Sequence, residues 1–260
     1  MEGHVPLKTS ADVSRMRPPG RLLARILRDL APRLSVGTLA RDIDLFCATR
    51  LETAGAEASQ RLIGFPGAAC VSINNVAAHG VPDDRPLEDG DLVTVDISTR
   101  VNGWASDAAW TYIVGAGSAD AHRLLKAAWM TTNAGVLACR AGRRFGDVAA
   151  VVEHTAARYG CSVVREFTGH GIGRGMHEPP AVPNMGEAGT GDPIVPGMVL
   201  TVEPVLTLGN GGVRKLDDGW TYVSADGSLT AQFEHTVSVF SRHTEVLTFD
   251  GELEPEAPPY

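Results

Sequence analysis

The sequence has 260 residues, of which 43% are hydrophobic and 21% are charged, and its formal net charge is −8. This length can bury one large core or two small ones. No stretch approaches the roughly 20 consecutive apolar residues of a membrane-spanning helix, and the acidic balance argues against broad binding to nucleic acid. The first residues lack the basic start and apolar run of a signal peptide, so a cytoplasmic protein without membrane contact is expected.

The cysteines indicate a reducing compartment. Four are present, at Cys47, Cys70, Cys139 and Cys161, and they form no C-x-x-C pair and follow no regular spacing. This usage is typical of free thiols, and it does not fit a disulfide framework or a zinc ribbon. No surplus amphipathic surface stands out, so a monomer is expected.

Helices and strands are predicted in two rounds. The first round comprises helices at about 12–32 and from Ser35 or Thr38 to Gly55, a strand at 69–74 and a hairpin at 92–114. The second round comprises a helix from Ser118 towards Gly142, a helix ending at Gly160, and strands at 161–167, 197–206 and 231–240. Linkers rich in Gly and Pro are predicted at 179–197 and 207–219, and residues 251–260 are expected to be disordered.

The hairpin carries two carboxylates on one face. Asn102-Gly103 favours a type I′ turn, and with these residues at its centre Asp96 and Asp107 become diagonal neighbours, roughly 7–8 Å apart. The strand around Asp96 is almost continuously apolar, where an ionised carboxylate is costly unless it is paired or bound to a metal. The pattern therefore predicts a cation site, and an ordinary solvated face is the alternative.

The second half supplies matching acids. The segment DGDLVTVD at 89–96 aligns with PGMVLTVE at 196–203, so that Asp96 coincides with Glu203. Alternation along the strand at 231–240 puts Glu234 on the polar face and His235 on the other. An internal duplication would place Asp96 and Glu203 symmetrically about a central axis. Several carboxylates together with one imidazole make an oxygen-rich ligand set that suits hard metal ions. Acids that bridge two divalent ions can hold them about 3.5–4 Å apart.

Four segments of the sequence then identify a family resemblance. FTGHGIGRGMHEPP, GMVLTVEP, AQFEHTV and the hairpin at 92–114 resemble the type I methionine aminopeptidases, over about residues 8–248. The resemblance implies an α+β pita-bread fold with two pseudo-symmetric halves, about 10–118 and 119–248, and a curved antiparallel sheet inside a layer of helices. One catalytic domain over residues 1–250 is expected. The family's five metal ligands map to Asp96, Asp107, His170, Glu203 and Glu234.

The same resemblance implies a dinuclear centre. Asp107 and Glu234 would bridge two divalent ions (Co, Mn, Fe, Ni or Zn), with Asp96 on one ion and His170 and Glu203 on the other. A water between the ions would attack the peptide carbonyl. The implied reaction removes N-terminal methionine from peptides and nascent chains with a small second residue, with transient contact at the ribosome.

Further roles follow for the catalytic histidines and the substrate pocket. His177 would hydrogen-bond the carbonyl oxygen, His79 would contact the scissile amide nitrogen, and Glu203 would carry the water's proton to the leaving amine. The pocket positions, besides His79 and His177, are Ser59, Leu62, Phe65, Cys70, Met176 and Trp220. Ser59, Leu62 and Met176 replace a common cysteine, aromatic residue and phenylalanine, which leaves the strictness of the methionine preference open.

Two other kinds of protein share this fold. Aminopeptidase P and prolidase act on Xaa-Pro bonds and usually carry an additional N-terminal domain. Non-catalytic pita-bread binding proteins lose metal ligands, whereas all five are present here. A hydrolase with altered substrate preference also fits the pocket changes. The other histidines, among them His122 and His154 in helical stretches, are expected to take no part.

Overall fold

The structure, a computed structural model, describes residues 4–249. The tail at 251–260 and the expected domain end at 250 lie outside the described residues. The first half comprises α1 (Ser10–Leu30), a 3₁₀ turn (Ala31–Arg33), α2 (Ala40–Thr53), β1 (Glu57–Ala58), α3 (Ser59–Leu62), β2 (Cys70–Ile73), β3 (Val76–Ala78), β4 (Leu92–Val101) and β5 (Trp104–Ile113).

The second half repeats the order of two helices followed by strands. It comprises α4 (Ala119–Ala138), α5 (Phe145–Arg158), β6 (Ser162–Val163), β7 (Gly169–Gly171), β8 (Glu178–Val182), β9 (Val199–Val202), β10 (Val205–Thr207), β11 (Val213–Lys215), β12 (Tyr222–Ser224), β13 (Thr230–Gln232), β14 (His235–Val239) and β15 (Thr244–Val246). An isolated antiparallel bridge lies at the start of the second helix in each half. Leu39 pairs with Pro86 before α2, and Arg144 pairs with Pro193 before α5.

The long helices begin at side-chain caps. Thr9 and Asp12 form a capping box at the start of α1. Ser118 caps α4 by accepting a hydrogen bond from the N–H of Ala121, as predicted. The same helix ends at Ala138, ahead of the predicted stop at Gly142, because the backbone leaves the helical conformation at Cys139. Both α1 and α4 pack against the central strands, and α4 also packs against α5.

The β4–β5 hairpin has the predicted register. Asn102 and Gly103 both have positive φ, 50° and 76°, as a type I′ turn requires. Asp96 faces Ala109, and Asp107 faces Ser98. β1 and β2 pair with the other edge of β4, so the carboxylate-bearing hairpin lies in a four-stranded sheet.

Two predicted strands are each divided in the structure. The strand predicted at 197–206 is interrupted at Glu203 and Pro204, and the one at 231–240 is interrupted at Phe233 and Glu234. β9 and β14 belong to a five-stranded sheet (β15-β14-β9-β7-β8), whereas β10 and β13 pair in a separate sheet (β13-β10-β6). Pro204 has no N–H to continue a ladder. Both glutamates therefore lie where the chain passes from one sheet to another.

The two predicted linkers contain strands, which corrects the sequence interpretation. β8 (Glu178–Val182) begins one residue before the linker predicted at 179–197 and continues into it, and β11 lies within 207–219. Pro179 and Pro180 are tolerated in β8 because it is an edge strand of its sheet, where a missing N–H costs no ladder hydrogen bond.

The largest cluster of buried hydrophobic residues contains members from both halves. Leu27, Trp110, Trp129 and Phe233 are among its fully buried members, and they come from α1, β5, α4 and the break between β13 and β14. Helices therefore cover antiparallel sheets in both halves, and the expected α+β architecture is confirmed. Within residues 4–249 no helix is long and apolar enough to cross a membrane.

Candidate metal centre

Three of the five predicted ligands form a compact buried cluster. Asp107 lies on β5, His170 on β7, and Glu234 at the break between β13 and β14. One ligand atom from each side chain lies within 4.8 Å of the other two. Asp107 and Glu234 are only 6% and 2% exposed. Residues distant in sequence thus direct two carboxylates and an imidazole to one point.

The remaining two predicted ligands adjoin this cluster. Asp96 and Asp107 are diagonal neighbours on one face of the hairpin, and both line the same cavity. Oε1 of Glu203 lies 3.4 Å from Nε2 of His170 and accepts a 2.6 Å hydrogen bond from Oγ1 of Thr201. All five residues predicted from the sequence are therefore brought together.

The glycines beside His170 let three strands approach closely. β7 runs between β8 and β9. A Cβ atom at Gly169 would lie 2.4 Å from the carbonyl oxygen of Thr201, and one at Gly171 would lie 2.3 Å from that of Pro179. Any larger residue would push β7 away from its neighbours, and the imidazole of His170 with it.

The four acids lie together in a largely buried site without a compensating cation. Burial raises the pKa of Asp96 to about 7 and that of Glu203 to about 8. Burial, and then repulsion by the neighbouring acids, raises the pKa of both Asp107 and Glu234 well above the ordinary range. Among the described residues, no Lys or Arg forms an ion pair with any of these acids. The cluster therefore favours protonation, or the arrival of a positive charge.

His170 is held in the neutral form that can bind a metal ion. Burial, together with the nearby His177, lowers the pKa of His170 to about 4. Its Nδ1 lies 2.9 Å from the carbonyl oxygen of Gly171, to which it can only donate, so the lone pair of the neutral ring is on Nε2. Nε2 is the nitrogen beside Glu203. This tautomer and orientation are those of a metal-ligating histidine.

The donor set fits a divalent cation. Oδ1 of Asp107 and Oε1 of Glu234 are buried and have no hydrogen-bond partner within the protein. Leaving such oxygens unpaired is costly, and a cation between them removes that cost. Carboxylate oxygens with one imidazole nitrogen suit divalent ions of intermediate hardness. The cluster is therefore a divalent metal site by its chemistry.

Two further histidines flank the cluster. His177 lies with its ring centroid 4.3 Å from that of His170. His79 has an unusual positive φ of 53°, and its ring packs edge-on against Phe167 and Tyr222. Partial removal from solvent lowers the pKa of both His79 and His177. Both imidazoles are thus neutral near physiological pH.

A cavity of about 130 Å³ opens beside the metal centre. Its lining comprises Gln60, Ile63, Phe65, Cys70, His79, Asp96, Asp107, Met176, His177 and Trp220. Phe65 and Trp220 meet edge to face with ring centroids 5.4 Å apart, and they make an aromatic wall. The cavity is thus bounded by the acids on one side and largely apolar side chains on the other.

The structure places two predicted pocket residues away from this lining. Ser59 and Leu62 form opposite ends of α3, and Leu62 is 57% exposed. Gln60 and Ile63 line the cavity instead, because residues three apart on a helical turn share a face. Reading 59–62 as a helical turn would have identified this face, but a four-residue helix without a capping side chain gives almost no sequence signal.

The histidines expected to take no part lie elsewhere. His235 is fully buried, with Nδ1 3.0 Å from Oγ1 of Thr248 and its ring against Trp129. His122 and His154 are exposed on α4 and α5. None of the three belongs to the cluster.

A cation site that adjoins a substrate-sized cavity is the arrangement of metal-dependent hydrolases. The sequence matches metallopeptidase family M24 (Peptidase_M24) over residues 14–240, and the chain belongs to this family. It is 41% identical over 251 residues to a methionine aminopeptidase of Treponema pallidum (strain Nichols), and the match covers 96% of this chain and 98% of that protein.

Solved structures agree with this assignment. The crystal structure of methionine aminopeptidase from Rickettsia prowazekii has a TM-score of 0.93 at 34% identity, covering 95% of this chain and 100% of that one. A prolidase from Pyrococcus furiosus has a TM-score of 0.76 at 19% identity, and the match covers 66% of its chain. The latter shows a common fold alone. The expected pita-bread fold and the resemblance to the methionine aminopeptidases are both confirmed.

Proposed function

We propose that this protein removes the N-terminal methionine from peptides and nascent proteins whose second residue is small. The observation that carries the proposal is the cavity whose lining includes both Asp96 and Asp107 of the metal centre and the aromatic wall of Phe65 and Trp220. A side chain held in this cavity brings its own carbonyl group next to the buried acids. The similarity to methionine aminopeptidases of several bacteria supports the same reaction.

The size of the cavity supports a single unbranched side chain. Its volume of about 130 Å³ is well below the roughly 300–1,000 Å³ of pockets that hold drug-sized ligands. The methionine side chain has four heavy atoms, and its thioether suits an apolar wall with sulfur and aromatic groups. Gln60 and Ile63 line the cavity in place of the predicted Ser59 and Leu62. A peptide that begins with leucine is therefore the most informative competing substrate, because it tests whether this lining still prefers methionine.

The proposed centre holds two divalent ions. Asp107 and Glu234, the two most buried acids of the cluster, would be shared between the ions, which Asp96, His170 and Glu203 would also help to hold. Bound in this way, the ions would supply the acidity that makes a water nucleophilic near neutral pH. Co, Mn, Fe, Ni and Zn all accept such a donor set.

The protein's own groups then handle protons and orientation. Glu203, which is fixed by the hydrogen bond from Thr201 and lies beside His170, is positioned to take a proton from the attacking water and return it to the departing amine. His177 is proposed to donate to the carbonyl oxygen as negative charge develops there. His79 is proposed to contact the scissile amide nitrogen. Its ring is held by Phe167 and Tyr222, which favours a fixed orientation.

Nascent chains as substrates would place the activity in the cytoplasm, beside the ribosome, with the enzyme acting as a monomer. Co-sedimentation of the purified protein with ribosomes tests the contact, and light scattering tests the oligomeric state. Neither outcome affects the proposed chemistry.

The proposed reaction is tested with the purified protein after chelation and return of single divalent metals. Release of amino acid is measured from Met-Ala-Ser, Leu-Ala-Ser and Ala-Pro-Ala, with acetyl-Met-Ala-Ser as a control for the free amine. We expect metal-dependent release of methionine from Met-Ala-Ser and none from the acetylated peptide. Cleavage chiefly of Ala-Pro-Ala, or release without metal, would contradict the proposal.

A further inference from the structure

The hydroxyl of Thr236 links the segment that carries Glu234 to the main chain of Asp107. Its Oγ1 accepts a 3.0 Å hydrogen bond from the N–H of Asp107 and donates one of 2.8 Å to the carbonyl oxygen of the same residue. Thr236 is fully buried. Both polar groups of the Asp107 backbone therefore depend on one side-chain hydroxyl.

Thr111 makes the reciprocal pair of hydrogen bonds. Its Oγ1 accepts a 2.9 Å hydrogen bond from the N–H of Gln232 and donates one of 2.7 Å to the carbonyl oxygen of Gln232. Midway between the two threonines, the N–H of Glu234 donates to the carbonyl oxygen of Ala109 at 2.8 Å. We refer to these three pairs (Asp107 with Thr236, Ala109 with Glu234, and Thr111 with Gln232) as the threonine seam.

The threonine seam replaces a ladder that the sheets do not provide. Each step of two residues along β5 is matched by a step of two in the opposite direction along 230–239, so the two segments run antiparallel. They belong to different sheets, since β5 pairs with β4, whereas β13 pairs with β10 and β14 with β9 and β15. The hydroxyl groups therefore satisfy main-chain groups that would otherwise be buried without partners.

The far side of Thr236 is also fixed. Its N–H donates to Oγ1 of Thr248 at 3.1 Å, and its carbonyl oxygen accepts a hydrogen bond from the N–H of Leu247 at 2.8 Å. The segment at 247–248 thus fixes the backbone of Thr236, whose hydroxyl in turn bonds the backbone of Asp107.

We propose that Thr236 is a positioning residue for the metal centre. Asp107 and Glu234 are diagonal neighbours across the threonine seam, and each has a buried carboxyl oxygen without a partner in the protein. The Thr236 hydroxyl fixes the main chain of Asp107 relative to the segment that carries Glu234. It thereby sets the separation of the two carboxylates that a divalent ion must bridge. The inference rests on the metal centre proposed above.

The proposal is tested by titrating chelator-stripped protein with Co²⁺, followed by calorimetry and by the visible absorption of the bound ion. Thr236→Val keeps the shape of the side chain and removes both hydrogen bonds to Asp107. We expect it to weaken Co²⁺ binding about tenfold, within the range known for groups that orient metal ligands, and to alter the absorption bands. Thr236→Ser keeps the hydroxyl and should bind Co²⁺ within about threefold of the wild type.

Thr111→Val is the matched control. It removes a pair of hydrogen bonds of nearly the same lengths from an equally buried threonine, but this pair holds Gln232, which is not a ligand. Each variant also loses one contact to a neighbouring hydroxyl, that of Thr94 for Thr111 and that of Ser106 for Thr236. We expect its apo form to lose thermal stability about as much as that of Thr236→Val, while its Co²⁺ affinity stays within about threefold of the wild type.

Equal Co²⁺ affinity and spectra for Thr236→Val and the wild type would overturn the inference, and so would an equal loss of affinity in Thr111→Val. If Thr236→Val does not fold, Thr236→Ala compared with Thr236→Ser tests the same hydroxyl. A wild-type protein that binds no Co²⁺ would contradict the metal centre itself, whereas normal wild-type binding with unchanged variants would contradict only the role of Thr236.

Discussion

Oε1 of Glu203 lies 3.4 Å from Nε2 of His170, yet the two side chains do not form an ion pair at neutral pH. Burial raises the pKa of Glu203 to about 8 and lowers that of His170 to about 4, so the ion-free pair consists of a neutral acid and a neutral base. Thr201 fixes Glu203 through a 2.6 Å hydrogen bond. A divalent cation would take the place of the proton that Glu203 retains.

A first prediction concerns the pH dependence of stability of the chelated protein. Between pH 6.5 and 8, Asp96 and Glu203 hold protons in the folded state that the unfolded chain has already released, because their pKa values are raised to about 7 and about 8. Stability should therefore fall as the pH rises, by up to about 1.4 kcal/mol per pH unit for each retained proton. The lowered pKa of His170 makes stability rise with pH, but only below pH 6.5, the ordinary histidine value.

Thermal unfolding at pH 6.5, 7.2 and 8.0, with and without Co²⁺, measures this dependence. The Tm of the chelated protein should decrease across the window, and Co²⁺ should raise it most at pH 8. Glu203→Gln should give a shallower decrease, since the amide does not titrate. An increase of Tm from pH 6.5 to 8 in the chelated wild type would contradict the raised carboxyl pKa values.

A second prediction separates function from stability at Asp107. Asp107→Asn removes a buried carboxyl group that, without a cation, must either retain a proton or carry an uncompensated charge, so the chelated variant should unfold at the same Tm as the chelated wild type or higher at pH 8. Turnover of Met-Ala-Ser should fall at least about a hundredfold, because a shared metal ligand is lost. Unfolding curves and initial rates are the measurements. Wild-type turnover from a folded Asp107→Asn protein would remove Asp107 from the metal centre.

A third prediction concerns the aromatic wall of the cavity. Trp220→Ala removes the edge-to-face contact with Phe65 and one side of the substrate cavity. We expect KM for Met-Ala-Ser to rise about tenfold with a smaller change in kcat, which corresponds to about 1.4 kcal/mol of lost binding. Trp220→Phe keeps an aromatic face and should lie closer to the wild type. A fall in kcat at constant KM would instead assign Trp220 to the chemical step.

A fourth prediction concerns the attachment of the segment that carries His177. Nζ of Lys8 lies 2.6 Å from Oε2 of Glu178, and the other oxygen of Glu178 accepts a 2.8 Å hydrogen bond from the N–H of Gly175. The Lys8 and Glu178 side chains are only 5% and 12% exposed. Lys8→Met should therefore lower the free energy of unfolding by about 3 kcal/mol and reduce turnover, because it leaves a buried carboxylate unpaired beside His177.

Urea unfolding and initial rates of Lys8→Met, Glu178→Gln and the double variant measure this coupling. The double variant should recover part of the lost stability. Arg17→Met is the matched control, since Arg17 pairs with Glu245 at the same 2.6 Å but with about 30% of each side chain exposed. It should cost at most about 1 kcal/mol. Equal losses in Lys8→Met and Arg17→Met would show that burial of the first pair is unimportant.

The register of the hairpin could be predicted because its determinants are local. Asn102 and Gly103 fix the turn, and the turn fixes which residues face each other, so the relation of Asp96 to Asp107 follows from a short segment. The match of DGDLVTVD with PGMVLTVE located Glu203, which the structure places beside His170. These features needed no knowledge of distant contacts.

The breaks after β9 and β13 could not be predicted in the same way. A period-2 pattern runs through Glu234 without interruption, and only the pairing of β13 and β14 with different sheets divides the strand. The threonine seam arises from that division, and a threonine within a strand gives no signal of a partner in another sheet. Gln60 and Ile63 were missed for a related reason, because their orientation depends on one turn of helix packed against β4.

The most direct test of the central claim is a titration of the chelated wild-type protein with Co²⁺ in which bound metal and release of methionine from Met-Ala-Ser are measured on the same samples. If the buried cluster of Asp96, Asp107, His170, Glu203 and Glu234 is the metal centre of an aminopeptidase, turnover should be absent without metal and rise in step with its occupancy. Asp107→Asn should show neither tight binding nor turnover. Methionine release from the metal-free wild type, or full turnover from Asp107→Asn, would contradict the claim.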